Sequence, residues 1–265
     1  MIRNVCKREE TMKIQYASDL HLEFHDNSSW LKAHPLQVTG DVLVLAGDVG
    51  YLSDDNYSKH PFWDWASKNY RQVIAVPGNH EFYKYFDIDT MTDGWDLAIR
   101  HNVHCRYNAV VPLSDEIDLI ATTLWSKIPI QNAYMTERSV SDFYRIMASG
   151  KRLDFNRFNE EHERCFNFLK KAVSESKAKH IVVATHHVPS ELLTDPVFKG
   201  STINGAFTVE LFDFIANSPI DYWIYGHSHR NIDGIIGHTR CLSNQLGYVS
   251  LVEHLSFDTG KVFEI

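Results

Sequence analysis

The chain is poor in several things, and each shortage excludes something. It has four cysteines, Cys6, Cys105, Cys165 and Cys241, and no two lie close together. That leaves no Cys-x-x-Cys or zinc-ribbon spacing and no disulfide framework, so a reducing compartment, cytoplasmic, is expected. No run approaches the roughly 18–20 apolar residues of a membrane helix. Residues 1–11 are basic and then acidic with no apolar stretch, and do not read as a signal peptide. They read as an extension, 1–12, ahead of a single domain, 13–265. Basic charge is also short: 26 Lys and Arg face 34 Asp and Glu, a formal charge of −8, with no basic run beyond pairs such as Lys151-Arg152 and Lys170-Lys171. Proteins that track nucleic-acid backbones usually carry a basic face, so no nucleic-acid partner is expected. Internal repeats and low-complexity tracts are lacking too. With 44% hydrophobic and 23% charged residues, the chain is not globally disordered, collagenous or coiled coil.

What is present begins with five short apolar runs, at 14–17, 42–46, 73–76, 181–184 and 222–225. They are β-branched, aliphatic or aromatic with little alternation, as in strands covered on both faces. Helices are predicted over 60–70, 87–100 (Ile88, Met91, Trp95, Ile99) and 154–177 (Phe155, Phe158, Cys165, Leu169, Ala172). Strands alternating with helices indicate an α/β fold with a largely parallel centre. Residues 110–124 read as two strands around Ser114-Asp115. The tail reads as strand-rich: a hairpin turning at Gly237-His238, then strands at 248–257 and 261–264 around Asp258-Thr259-Gly260. Residues 125–151 show no period and read as a lid or a long surface excursion.

Each apolar run ends in polar or metal-seeking residues: Asp19-Leu20-His21, Gly47-Asp48, Gly78-Asn79-His80-Glu81, Thr185-His186-His187 and Gly226-His227-Ser228-His229. Ligands of open α/β sheets gather beyond the carboxyl ends of the strands, and five such ends in one parallel sheet would bring these residues together. Carboxylate oxygens and neutral imidazoles without a cysteine suit borderline divalent ions such as zinc, manganese or iron. In extended chain, residues i and i+2 point the same way, so Asp19 can share an ion with His21, and His227 can share a cluster with His229. Adjacent residues point apart, so only one of His186 and His187 is expected to ligate, and His186, at the strand end, is preferred. Glycines before Asp48, Asn79 and His227 permit sharp turns and close backbone approach. This donor set is too large for one tetrahedral ion and fits two sharing a bridging carboxylate.

The order Asp-x-His, Gly-Asp, Gly-Asn-His-Glu, His, Gly-His-x-His, spread from about Lys13 to His229, resembles the calcineurin-like metallophosphoesterase superfamily. The resemblance implies two facing mixed β-sheets flanked by helices, a four-layer sandwich whose later strands are antiparallel. It implies two divalent ions (Mn, Fe or Zn). One would be held by Asp19, His21, Asp48 and His229, the other by Asp48, Asn79, His186 and His227, with Asp48 bridging. His80 would stand outside the metals, near the scissile phosphorus. The implied chemistry is attack by a metal-bound hydroxide on a phosphate ester, with no covalent intermediate. Two dications against two carboxylates and a hydroxide leave a centre of about +1, which attracts an anionic ester into an acidic protein.

One stretch departs from the protein Ser/Thr phosphatase branch, where the second motif runs Gly-Asp-x-x-Asp-Arg-Gly. Here it runs Gly47-Asp48-Val49-Gly50-Tyr51-Leu52. The Asp that orients the catalytic histidine and the Arg that grips phosphate are both missing. A small-molecule ester is therefore expected rather than a phosphoprotein, with a phosphodiester first. A phosphomonoesterase or nucleotide pyrophosphatase comes next, and a nuclease or a non-catalytic scaffold after that. Asp54 and Asp55 are the nearest carboxylates in sequence to orient His80. His25, Tyr83, His187 and Arg230 flank the motifs and are candidate substrate contacts. No membrane partner is expected.

Overall fold

The structure, a computed structural model, describes residues 11–265, so the expected extension at 1–12 lies almost wholly outside the described residues. In chain order the strands are β1 (Lys13–Ala17), β2 (Val42–Ala46), β3 (Gln72–Val76), β4 (Trp95–Arg100), β5 (Val103–Tyr107), β6 (Ala109–Pro112), β7 (Ile117–Ala121), β8 (Met147–Ala148), β9 (Lys151–Arg152), β10 (His180–Ala184), β11 (Tyr222–Tyr225), β12 (Gly234–Ile236), β13 (Thr239–Ser243) and β14 (Val262–Glu264). The helices are α1 (His25–Ala33), α2 (Pro61–Asn69), α3 (Ala133–Ser139), α4 (Asp142–Arg145), α5 (Phe155–Glu175) and α6 (Phe212–Ala216).

All five apolar runs are strands, but they do not share one sheet. Two six-stranded sheets form, ordered β14-β1-β2-β3-β5-β4 and β12-β13-β11-β10-β7-β6. Each has four parallel central strands and one antiparallel strand at either edge. Side-chain alternation dictates the stacking. In β2, Val42, Val44 and Ala46 join Ile74, Val76, Leu119, Val182 and Ile224 between the sheets. Leu43 and Leu45 face the other way, onto Leu31 of α1 and Phe62 and Trp63 of α2. The outer face of the second sheet, with Val183, Trp223 and Cys241, meets Leu169 and Ala172 of α5 and Ile215 of α6. Each such side chain, fully buried, stabilises by roughly 1.5–3 kcal/mol. Both faces of each sheet must therefore be covered, and helix–sheet–sheet–helix layering follows. These are the two facing mixed sheets that the resemblance implies.

Three sequence expectations need correction. The helix over 87–100 does not form: a short 3-10 turn covers Ile88–Thr90, a turn follows, and Trp95–Arg100 is strand β4, paired antiparallel with β5. Its apolar spacing imitates a helix, but Gly94 at φ +80° breaks the run and β5 supplies a ladder. The strand over 248–257 is two 3-10 turns, Val249–Leu251 and Glu253–Ser256, joined by Val252 at φ +62°. Residues 261–264 consequently pair with β1 and not with that segment. Third, residues 125–151 are no free surface excursion. Trp125, Val140, Phe143 and Ile146 are buried with Phe82 and Phe158, and the segment carries α3, α4 and one arm of the β8–β9 hairpin. Among the described residues no helix is long and apolar enough to cross a membrane.

Candidate metal centre

Two sheets meeting face to face aim the carboxyl ends of β1, β2 and β3 at those of β10 and β11. The polar strand-end residues converge there, buried. Among the described residues, three groups have ligand atoms close enough together to hold a metal ion: Asp19, His21 and His229; Asp48, His186 and His227; and His21, Asp48 and His80. Asp48 Oδ1 lies 3.3 Å from His186 Nε2, and its Oδ2 lies 3.7 Å from His21 Nε2. His229 Nε2 is 3.3 Å from Asp19 Oδ1, and Asn79 Oδ1 is 3.0 Å from His186 Nε2.

The local backbone is contorted to achieve this. Asp19, His21, Asp48, His227 and His229 all have positive φ, between 46° and 74°. Such conformations cost non-glycine residues energy and concentrate at functional sites. Asp19 and His21 therefore share a group because of these bends, and not because of extended-strand alternation. The glycines act as expected: Gly47 has φ +91°, and a Cβ on Gly78 would stand 2.2 Å from Asp48 Oδ1.

Glu81, part of the Gly-Asn-His-Glu stretch, organises two of these loops. Its Oε2 accepts from the backbone N–H of Asp48 (2.9 Å) and Gly78 (2.7 Å), and its Oε1 from those of Val49 (2.7 Å) and Gly50 (3.2 Å). A glutamine there would press an NH2 donor against two N–H donors. Glu81→Gln is therefore expected to destabilise the fold by about 3 kcal/mol. The thermal midpoint should fall by about 6–12 °C, and an unchanged melting curve would contradict this account.

The histidines are pinned from behind. His21 Nδ1 meets Glu23 at 3.0 Å and His229 Nδ1 meets Glu253 at 2.6 Å. His186 Nδ1 donates to the Ala46 carbonyl at 2.9 Å, and His227 Nε2 to that of Ala206 at 3.3 Å. A proton held on that side leaves a lone pair on the other nitrogen, the arrangement of metal-ligating imidazoles. With the rings neutral, the inward atoms are all acceptors and crowd one another, as His21 Nε2 and His229 Nε2 do at 3.2 Å. Only a cation reconciles them, so the donor set fits divalent metal.

The electrostatics agree. Burial depresses an imidazole, but the charge and hydrogen bond of Asp48 outweigh it and push His186 up to about 9. Burial is likewise outweighed at His229, raised to about 10 by Asp19 and Glu253. His227 is pulled down to about 3 by burial and then by the charge of His186. Burial would raise the two carboxylates, yet Asp19 is held low by His229 and Asp48 well below its ordinary range by His186 and His80. A proton thus takes a place suited to a metal, and metal binding would release it.

His80 is held differently. Its Nδ1 meets Glu23 Oε1 at 2.9 Å and its Nε2 meets the Tyr248 hydroxyl at 3.2 Å, while its backbone N–H donates to Asp48 Oδ1 at 2.9 Å. The partner of His80 is therefore Glu23, not Asp54 or Asp55; Asp54 instead pairs with Lys84 at 2.8 Å. Burial would lower His80, but Asp48 and the Glu23 hydrogen bond prevail and raise it.

The other flanking candidates separate. The His25 side chain is 92% exposed beside Asp26 and points away from the centre. Tyr83 stacks on His80 with centroids 4.2 Å apart, and its hydroxyl donates to Asp142. His187 Nδ1 meets the Ser126 hydroxyl at 3.0 Å, and its ring packs on that of His227 with centroids 4.2 Å apart. Arg230 lines a cavity of about 340 Å³ that opens onto the centre, shared with Asn79, His80, Asp142, Phe198, Phe207 and Tyr248. Sequence reading missed Glu23, Asp142, Tyr248 and Glu253. Glu23 had a signal, lying two residues beyond His21; the other three had none, being brought in from distant segments.

A two-sheet α/β sandwich with a buried carboxylate–imidazole centre at its strand ends is the class that fold and site define. The family model described as calcineurin-like phosphoesterase matches residues 12–231, and the chain belongs to that family, whose members hydrolyse phosphate esters. An uncharacterized protein of Acanthamoeba polyphaga mimivirus is 30% identical over 89% of this chain and 91% of its own length. Among solved structures, a phosphopantetheinyl hydrolase of Mycobacterium tuberculosis superposes with a TM-score of 0.70 at 17% identity, over 96% of this chain and 95% of that one. A Thermus thermophilus protein does so with a TM-score of 0.51 at 10% identity, over 96% and 98%. At these identities the two structures speak for the fold alone.

Proposed function

We propose that this phosphoesterase is a two-metal enzyme acting on small phosphate esters, with a phosphodiester as its first substrate class. The observation that carries the reading is the set of four histidines, each with one nitrogen engaged by a carboxylate or carbonyl and the other turned onto Asp19, Asp48 or Asn79. Asp19, His21, Asp48 and His229 would hold one ion, and Asp48, Asn79, His186 and His227 the other. Nitrogen and oxygen donors without sulfur favour Mn, Fe or Zn. Bound there, the ions supply Lewis acidity and lower the pKa of water near phosphorus.

The chain's own residues do the rest. Glu23 keeps a proton on His80 Nδ1 and fixes the ring, and Tyr248 marks the direction of Nε2. With its pKa raised by Asp48 and Glu23, His80 holds a proton more readily than a free imidazole, and the protonated ring would stabilise charge on a phosphoryl oxygen or protonate the leaving oxygen. The cavity suits a small molecule in volume. Its one Lys or Arg among the described residues, Arg230, pairs with Asp195 at 3.4 Å. A singly charged diester matches this better than a dianionic monoester, which favours the diester reading.

The test compares bis-p-nitrophenyl and p-nitrophenyl phosphate with Mn2+ present. Faster turnover of the diester is expected; hydrolysis of the monoester alone would overturn the choice. Cleavage of single-stranded DNA with a steep salt dependence would point instead to a nuclease.

A further inference from the structure

We infer that Asp142 is a positioning residue that sets the carboxamide of Asn79 for metal binding; this rests on the reading of Asn79 as a ligand. Asp142 opens α4 and is buried at the cavity wall. Its Oδ1 accepts from Asn79 Nδ2 at 2.9 Å and from the Tyr83 hydroxyl at 2.7 Å. Its Oδ2 is buried without a hydrogen-bond partner among the described residues.

An amide binds a metal through oxygen only, so the flip of the carboxamide decides whether Asn79 is a ligand at all. Its inward neighbour is His186 Nε2, 3.0 Å from Asn79 Oδ1. Once the ring is neutral, as metal binding requires, the His186 proton stays on Nδ1 toward Ala46 and Nε2 is a lone pair. Left to itself, the amide would turn its NH2 to that lone pair and carry its oxygen away from the centre. A carboxylate accepts only, so Asp142 holds the NH2 on the far side and leaves Oδ1 facing in. Its negative charge also polarises the amide, making the carbonyl oxygen a stronger donor. The segment 125–151 thereby serves the centre: it delivers, from 63 residues beyond Asn79 in sequence, the acceptor that orients it.

Calorimetric titration with Mn2+ tests this without reference to turnover. The wild-type protein is expected to take two equivalents and Asn79→Ala to lose one of them; these two titrations judge the ligand reading by themselves. Asp142→Ala is expected to weaken the same site about 10–100-fold, as loss of an outer-shell partner does. Asp142→Asn keeps an acceptor and should restore most of the affinity. Wild-type affinity in Asp142→Ala overturns the inference, and so does equal damage from Asp142→Asn, which would make charge and not amide orientation the cause. Should Asp142→Ala lose its fold by circular dichroism, Asp142→Ser, too short to reach Nδ2, carries the same two outcomes.

Discussion

Asp48→Asn is expected to abolish turnover and to strip metal from both sides of the centre. Asp48 stands between the two main donor groups, with Oδ1 toward His186 and Oδ2 toward His21. An asparagine has one oxygen where two are used, and its NH2 would donate to a ring-nitrogen lone pair that a metal needs. It also removes one of the two carboxylate charges shared by the centre's donor groups. Two-metal sites contribute several kcal/mol of transition-state stabilisation, so a loss of at least ~10^3 in kcat is expected. Metal analysis of the purified variant should fall from about two equivalents toward none. Near-wild-type activity would refute the bridging role. The His80 amide also donates to Asp48 Oδ1, an acceptor asparagine can retain, so the fold should survive the change.

His80→Ala separates catalysis from metal holding. His80 is placed by Glu23 and Tyr248, its Nε2 stands 4.0 Å from Asp48 Oδ2, and its side chain is nearly buried beside the cavity. Loss of a general acid or charge stabiliser costs about 10^2–10^4 in rate. Metal content should stay at the wild-type level. This matters because His80 also belongs to a third group, with His21 and Asp48, able in principle to hold an ion. One lost equivalent of metal would assign His80 to that group and overturn its placement outside the metals. Glu23 couples the two outcomes, since one carboxylate oxygen meets both His21 and His80. Glu23→Gln should reproduce most of the rate loss, and adding it to His80→Ala should cost little more, as residues acting as a unit are not additive.

Legibility in the sequence followed the range of the interaction. The strand ends were readable because a buried strand must be a short apolar run, and the motif residues follow each run directly. Asp19, His21, Asp48, Asn79, His80, His186, His227 and His229 all stand at such ends, and the fold brings them near one another. The preference for His186 over His187 rests on alternation; in the fold His186 Nε2 faces Asp48 and His187 Nδ1 faces Ser126. The misreadings share a cause. The stretch 87–100 has helical spacing, but β5 offers its backbone a ladder, and pairing prevails over local pattern. The stretch 248–257 looks extended, yet Glu253 accepts from Tyr248 N–H at 2.7 Å and meets His229, bending the chain into 3-10 turns. His25 is near His21 in sequence, but α1 begins there and its side chain stands in solvent beside Asp26.

Composition and local pattern were enough to set the α/β class, the five buried parallel strands and the polar residues at their ends, since these depend on burial and on chemistry carried by neighbours in sequence. The donor roles came from the family resemblance. The tertiary structure decided how the five strand ends divide between the two sheets, three from one and two from the other. It also decided which nitrogen of each histidine faces inward and that Glu23, Glu253 and Asp142 stand behind the donors. These are contacts across 24 to 63 residues or between facing sheets, apart from Glu23 beside His21. A hydrogen-bond partner is selected by position within about 3 Å, and no periodicity in a sequence encodes a distance that only folding creates.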